Sequence, residues 1–443
     1  MSPNSKLKIQ NLKLQKLIRR LLEWFAGNAR DLPWRRTRDP YAVWVSEIML
    51  QQTQVKTVIP YWNRWMRALP TIEAVAKASP DKIHKLWEGL GYYTRARNLQ
   101  QAARQIVAEY DGKFPNYFED VLALPGIGRY TAGAICSIAF GQPVPVLDGN
   151  VIRVLTRIFD IRENPRDKET NARLWRLAED LVTNAGGAKL PRAQTSFAGD
   201  PFASKANQGS SDSPPAENEN HSHLNQSLME LGALVCGPRN PQCGICPVKQ
   251  LCLAFQENRV DQLPNLGRRS SPTAKRFVAF AVERNGRFLI RQRPAGVVNA
   301  QLWEFPNGEI GPRLSGPQRG QSQEAAGQAA ATRPMRRRSG SGDPHSEAIT
   351  NAAVAVLGVH PEKLTPLGMI KHSITRYRIT LEVWRADFGR PSSAEARFGL
   401  GRPGTPPSEP GLWKTPAQMR RLAFSAAHKS ILAMLHADRP GSA

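Results

Sequence analysis

The sequence has no apolar run long enough to cross a membrane, and its first residues lack the apolar region of a signal peptide. A soluble intracellular protein is expected. It is also short of acid: 37 Asp and Glu stand against 61 Lys and Arg, for a formal net charge of +24. Few small-molecule enzymes are so basic, and a polyanion, nucleic acid first, is the expected partner. The blander account is that many of the arginines only solubilise Gly/Pro-rich loops. Cysteine is scarce, with five in all, yet four crowd between Cys236 and Cys252. In a reducing compartment such crowding indicates metal ligation rather than disulfides. The length of 443 residues allows two or three domains.

Residues 6–26 place Leu7, Leu14, Leu17, Ile18, Leu21, Leu22 and Phe25 at near-helical spacing between Lys and Arg, predicting an amphipathic first helix. Leu32-Pro33-Trp34-Arg35 reads as a loop, and Asp39-Pro40 opens a second helix expected to run on to Val55. Glu47 stands alone among the apolar residues of that helix. A carboxylate so placed is desolvated and keeps its proton to higher pH, as a general acid requires; the alternative is a helix turning one polar residue to water. Gln51, Gln52 and Gln54 form an amide cluster able to meet base edges. From Glu88 to Asn98 a Gly turn adjoins Tyr92, Tyr93, Arg95 and Arg97, a grouping suited to wedging between bases and binding phosphate.

Leu124-Pro125-Gly126-Ile127-Gly128 reads as a hairpin between two helices, with Gly128 allowing close backbone approach and bare N–H groups offered to a phosphate oxygen. Asp148 precedes the next apolar stripe, where it is an ordinary N-cap whose second oxygen is free to point outward. Residues 185–223 read as a disordered insertion. The cysteines follow as C-x6-C-x2-C-x5-C, Cys236, Cys243, Cys246 and Cys252. That spacing suits zinc or an iron–sulfur cluster equally. A linker over 259–274 leads to strands either side of Asn285-Gly286, with low-complexity insertions at about 311–345 and 389–410. Tyr377, Ile379, Leu381 and Val383 alternate with Arg378, Thr380 and Glu382, predicting a half-buried strand.

Together the hairpin, the Leu-Asp-Gly-Asn-Val around Asp148, the Ser46–Val55 run and the cysteine loop resemble the helix-hairpin-helix DNA glycosylases of the endonuclease III superfamily, specifically their adenine-excising branch. The resemblance implies a mainly α helix-hairpin-helix glycosylase domain over 6–258, with a [4Fe–4S] cluster on the four cysteines. An α/β Nudix-like lesion-recognition domain would follow over 275–436. It implies base excision repair of adenine opposite 8-oxoguanine or guanine in double-stranded DNA, by a protein read as monomeric and, if bacterial, cytoplasmic and nucleoid-associated. By the same carry-over Glu47 protonates the adenine and Asp148 stabilises the sugar cation. Tyr92 is the wedge, Gln51 and Gln52 fill or read the gap, and Gly126 and Gly128 hold the backbone. Arg35, Tyr130, Asn150 and Glu230 line the base site. A lyase branch carries lysine where Tyr130 stands, so excision without strand cleavage is expected.

In the second domain His372-Ser373-Ile374-Thr375-Arg376 matches the branch's 8-oxoguanine-reading segment, with Thr375 keeping the hydroxyl, Ile374 in place of an aromatic and Arg376 in place of a His. The clustered Glu pattern of Nudix hydrolysis is not evident after Gly308, so nucleotide hydrolysis is not expected. The competing readings are a non-catalytic iron–sulfur DNA-binding protein and an oxidised-pyrimidine glycosylase with lyase activity.

Overall fold

Helical spacing of apolar residues dominates the first 260 residues and period-two alternation the remainder, and the chain divides accordingly. A computed structural model describes residues 3–188, 216–267, 271–311, 343–374, 376–388 and 411–437. Two compact units are present, Met1–Arg269 and Ser270–Ala443. Among the described residues no helix is long and apolar enough to cross a membrane.

The first unit runs α1 (Pro3–Asn28), α2 (Pro40–Leu50), α3 (Val55–Ala68), α4 (Ile72–Lys77), α5 (Pro80–Trp87), α6 (Thr94–Glu109), α7 (Phe118–Ala123), α8 (Arg129–Phe140), α9 (Gly149–Ile158), α10 (Lys168–Thr183), α11 (Ala216–Leu234) and α12 (Leu253–Gln256). In α1, Leu17, Ile18, Leu21 and Leu22 are buried while Lys13, Lys16 and Arg19 stay exposed. This apolar stripe packs with Val151, Val154 and Leu155 of α9, Leu174 and Leu181 of α10 and Leu224, Leu228 and Leu231 of α11 in one core. A second buried group is aromatic. Trp65 lies edge-on to Trp87 at 5.6 Å and donates through Nε1 to Tyr41 Oη, and Trp62 Nε1 donates to Ala42 O. Trp87 Nε1 donates to Gly91 O, so these three tryptophans are buried with their N–H groups satisfied.

Several expectations are corrected. The segment 33–35 is a turn of 3-10 helix. α2 stops at Leu50, because Gln51 leaves the helical region with ψ 112° and Gln52 takes φ 56°. Helix α11 starts at Ala216, so 216–223 are not part of a disordered insertion; Asn220 Nδ2 donates to Ala188 O, and His221 Nδ1 lies 2.8 Å from Val182 O. Residues 185–188 are ordered as well, with Ala185 buried and bonded to Val182 O and Ala188 N donating to Ala185 O; 189–215 lie outside the described residues, as does all of 389–410. The start of the expected linker is packed on the first unit, where Leu263 is buried and Arg157 Nε donates to Val260 O and Leu263 O.

The second unit comprises β1 (Thr273–Ala281), β2 (Glu283–Arg284), β3 (Arg287–Gln292), β4 (Trp303–Glu304), β5 (Asn307–Ile310), α13 (Pro344–Leu357), β6 (Lys363–Ile374), β7 (Tyr377–Asp387), β8 (Leu412–Lys414), α14 (Pro416–Met419) and α15 (Ala426–Ala437). Asn285 and Gly286, both at positive φ, close the β2–β3 hairpin. One sheet has the order β5-β1-β7-β6, with β1 parallel to β7 and the other pairings antiparallel; β2, β3, β4 and β8 form a second. Leu381 and Val383 face a core with Ile431 and Leu435 of α15, while Val278 and Phe280 face one with Ile349 and Ala353 of α13.

That two-sided cover corrects the half-buried reading of β7. Glu382 is buried rather than solvent-facing, and it is tolerated because Arg276 and His345 pair with it. Residues 343–345, expected within a low-complexity insertion, cap and begin α13, where Asp343 accepts from His345 N. The remainder of that insertion, 312–342, is outside the described residues.

Candidate active site and cysteine centre

Every residue from Tyr41 to Met49 in α2 is buried, so Glu47 in its last turn has no water-facing side to occupy. It is 5% exposed, which decides against a polar residue turned to solvent. Tyr130, in the first turn of α8, donates its hydroxyl to Glu47 Oε2 at 2.8 Å and lies 3.3 Å from Met229 Sδ. Burial pushes the Glu47 carboxyl up to about 7, against the Tyr130 hydrogen bond, with the Asp148 charge adding and Arg35 opposing. Both Asp148 and Arg35 are therefore within electrostatic reach of Glu47.

Asp148 caps α9: Oδ1 accepts from Val151 N at 2.7 Å. Its second oxygen does not point outward unpartnered, as expected, because Asn150 Nδ2 donates to Oδ2 at 2.8 Å. Burial raises the Asp148 carboxyl from its ordinary value, and these hydrogen bonds and Arg153 work against the rise. Asn150 is fixed in turn by Arg153, whose Nη2 donates to Asn150 Oδ1 and to Gly232 O, and whose Nε donates to Cys236 O. Gly232 makes this possible: a Cβ there would lie 2.6 Å from Asn150 Cβ. The segment leading to Asp148 is pinned by Asn225, which donates to Ser137 Oγ and Val144 O and accepts from Val146 N. Sequence reading missed Asn225 and Arg153. A buried Asn on an apolar helix face was the available signal for the first, since it must satisfy all its polar atoms.

Glu230 is 1% exposed and held between two arginines. Arg30 reaches it through its backbone N, Nε and Nη2, and Arg35 Nη2 donates to Oε2 at 2.9 Å. Burial alone would raise this carboxyl, but the arginine hydrogen bonds reverse the effect and hold it at about 2. Arg35 also donates to Gln226 Oε1 and Arg30 O. Two of the predicted base-site residues thus meet each other directly. Arg30 and Gln226, which complete the cluster, carried no motif in the sequence.

The hairpin between α7 and α8 has the expected form, with Gly126 at φ 79° and no side chain capping α8 at Gly128. Close approach belongs to Gly126, where a Cβ would lie 2.6 Å from Asn98 Cβ; at Gly128 it would meet nothing, correcting that expectation. The open backbone there leaves room for a bulky ligand. Gln51 Nε2 donates to Thr131 Oγ1, tying α2 to α8, and Tyr92 is 44% exposed at φ 46°. Arg95, expected at phosphate, is instead buried and donates to backbone carbonyls.

Cys236, Cys243, Cys246 and Cys252 line one cavity walled by Val154, Ile158, Leu231 and Val248. Arg157 Nη1 lies 3.3 Å from Cys236 Sγ, and Lys249 also borders the space. Four thiols without carboxylate or imidazole, in an apolar wall with two cations beside them, suit a thiolate-ligated cluster whose charge needs balancing. Among the described residues no three ligating side chains converge on a point that would hold a single ion. Arg20 of α1 ties the loop down through Pro247 O and Gln250 Oε1.

In the second unit Arg376 sits in the turn joining β6 to β7 and donates through Nε and Nη2 to Tyr377 Oη. Thr375 lies outside the described residues.

Residues 45–180 match the model of the HhH-GPD superfamily base excision DNA repair proteins, 236–252 the iron–sulfur binding domain of endonuclease III, and 278–434 the NUDIX domain. The second match assigns the cysteine cavity to a [4Fe–4S] cluster, closing the choice that spacing left open. The adenine DNA glycosylase of Rattus norvegicus is 38% identical over 346 residues, covering 66% of this chain and 60% of that protein. That of Homo sapiens is 38% identical, covering 65% and 56%. That of Buchnera aphidicola subsp. Schizaphis graminum is 34% identical, covering 65% of this chain and 73% of the relative. The chain thus spans less than two thirds of the length of the mammalian relatives. With nearly three quarters of the Buchnera protein aligned, and the helical, iron–sulfur and Nudix segments following in order, the chain belongs to the adenine DNA glycosylase family.

Proposed function

We propose that this chain is a monofunctional adenine DNA glycosylase, hydrolysing the N-glycosidic bond of adenine mispaired with 8-oxoguanine or guanine in double-stranded DNA. The observation that carries the reading is Glu47, buried, bonded to Tyr130 and within reach of the Asp148 charge. A purine anion leaves poorly until protonated. Glu47, with its proton retained near neutral pH, donates it to the extruded base at N7, and the bond from C1′ to N9 then breaks with its electrons going to the neutral adenine. Asp148, ionised, stabilises the cationic sugar in a site shielded from bulk water until a water adds at C1′ and loses a proton. Arg35, Asn150 and Glu230 line the base site, with Glu230 kept anionic by its arginines to accept from an exocyclic amine. Gln51, Gln52 and Tyr92 enter the gap, and Gly126 and Gly128 seat the backbone.

The cluster on Cys236, Cys243, Cys246 and Cys252 would staple a loop that has little apolar core of its own. The second unit reads the base opposite the adenine through the β6–β7 turn, with Thr375 and Arg376 the contacting residues; Arg376 donates to O6, and to N7 only where that base is guanine, since N7 of 8-oxoguanine carries a hydrogen. The protein works as a monomer, in the cytoplasm at the nucleoid if the source is bacterial.

The test is an alkali-developed excision assay on matched duplexes carrying adenine opposite 8-oxoguanine, guanine or thymine. Adenine is released opposite the first two, and borohydride traps no protein–DNA imine because Tyr130 has no amine to offer. A trapped imine with rapid nicking would overturn the monofunctional reading, and no excision at all would leave a DNA-binding protein without catalysis. With a net charge of +24, affinity for undamaged duplex should also drop steeply with salt. A fall on the order of 10³-fold between about 50 and 200 mM, as for some six phosphate contacts, is expected in a titration. A flat profile would contradict the charge argument.

A further inference from the structure

Two non-glycine residues at positive φ, Gln52 at 56° and Tyr92 at 46°, occupy the segments proposed to enter the duplex. Side chains other than Gly rarely adopt this backbone region unless the surroundings impose it. Here one side chain lies against both. Arg95, in the first turn of α6, donates through Nη1 to Ile48 O, Met49 O and Gln51 O, and through Nη2 to Leu90 O, Gly91 O and Thr53 Oγ1. It therefore bonds the carbonyl immediately before each strained residue, Gln51 before Gln52 and Gly91 before Tyr92. Its Cζ lies 5.3 Å from the Trp87 ring centroid and 5.6 Å from that of Tyr92.

We propose that Arg95 is a positioning residue that holds Gln52 and Tyr92 in the shape that opens the duplex before DNA arrives, so that its loss slows base extrusion rather than bond cleavage. The proposal rests on the glycosylase reading above. A fixed wedge spends none of the binding free energy on ordering itself, leaving more to unstack the target base. Lysine cannot substitute, because a single ammonium cannot address acceptors on two separate segments with a planar fork.

The experiment compares wild type with Arg95→Lys in single-turnover excision across pH, and in the fluorescence rise of 2-aminopurine placed at the target position opposite guanine. Arg95→Lys should lower the excision rate at least tenfold and the fluorescence rise at least twofold, with the pH of half-maximal rate unchanged. In a background carrying both Gln52→Ala and Tyr92→Ala the same change should cost less than twofold. An unchanged fluorescence rise, a shifted pH profile or a full multiplicative loss in that background overturns the proposal, since each marks an effect on Glu47 or on folding at large.

Amide exchange in the wild type gives an arm independent of whether the variant folds. The amides of Thr53 and Leu90, bonded to Leu50 O and Trp87 O, should be protected in free protein to within tenfold of the DNA complex. Protection that arises only on binding DNA overturns it. Wild type that excises nothing would sink the glycosylase reading instead, so the two failures are distinguishable.

Discussion

On the proposed mechanism Asp148→Asn is expected to lower the single-turnover rate of adenine excision by about 10³-fold, while the helical circular dichroism and the cluster absorbance stay at wild-type levels. The substitution separates two duties of one side chain. Asn caps a helix about as well as Asp, and its amide oxygen still accepts from Val151 N, so α9 keeps its start. What is lost is the negative charge beside the cationic sugar, and charge stabilisation in a site shielded from water is worth about 3–4 kcal/mol. The introduced amide also faces Asn150 Nδ2, donor to donor, so Asn150 must turn its oxygen inward and give up its bond to Arg153. That adds about 1 kcal/mol of destabilisation and no change of fold. Excision within tenfold of wild type would show that Asp148 only caps.

Glu47→Gln should abolish excision, by about 10³-fold as loss of a general acid does, and at the same time stabilise the protein at alkaline pH. Burial holds the Glu47 carboxyl at about 7, above its ordinary 4.5, so folding favours the protonated form. The sign follows: this favourable contribution is complete below about pH 4.5 and is lost as pH rises through about 7. By pH 8 the wild type carries a buried carboxylate that the amide variant lacks. The shift corresponds to about 3 kcal/mol in favour of Glu47→Gln at pH 8, and the difference should vanish near pH 4. Gln retains an oxygen to accept from Tyr130, so the gain is not offset by an orphaned hydroxyl. Denaturant unfolding at the two pH values measures it. A variant no more stable than wild type at pH 8 would mean that Glu47 is better solvated than its burial indicates. The same pair of carboxyls shapes the pH–rate profile: activity falls as pH rises through about 7 with loss of the Glu47 proton, and falls again in acid as Asp148 protonates.

Some of this site was legible because local chemistry is written in short spacings. The hairpin at 124–128 needed only Pro, two Gly and flanking apolar residues, and Asp148 announced a helix start by type and position. The same locality misled where a distant partner decided the conformation. Helical propensity carried α2 on to Val55, whereas Arg95, more than forty residues away, bonds its last carbonyls and the chain turns at Gln52. Alternation placed Glu382 in water, but a helix covers that face of the sheet and supplies His345. Low apolar content hid the first turns of α11 within the expected insertion, since the hydrogen bonds of Asn220 and His221 that hold those turns are made to α10 and the loop after it.

The sequence by itself determined the elements whose causes lie within a few residues: the amphipathic helices, the glycine turns, the cysteine cluster and the lone Glu47 in an apolar run. Tertiary structure alone decided the states of the functional groups. Glu47 and Glu230 are both glutamates on buried helix faces, yet one is held at about 7 and the other at about 2. The difference is that burial, with the Asp148 charge adding to it, outweighs the single Tyr130 hydrogen bond at Glu47, while at Glu230 two guanidinium groups overcome burial, and those partners arrive from helices and loops that no sequence window brings together.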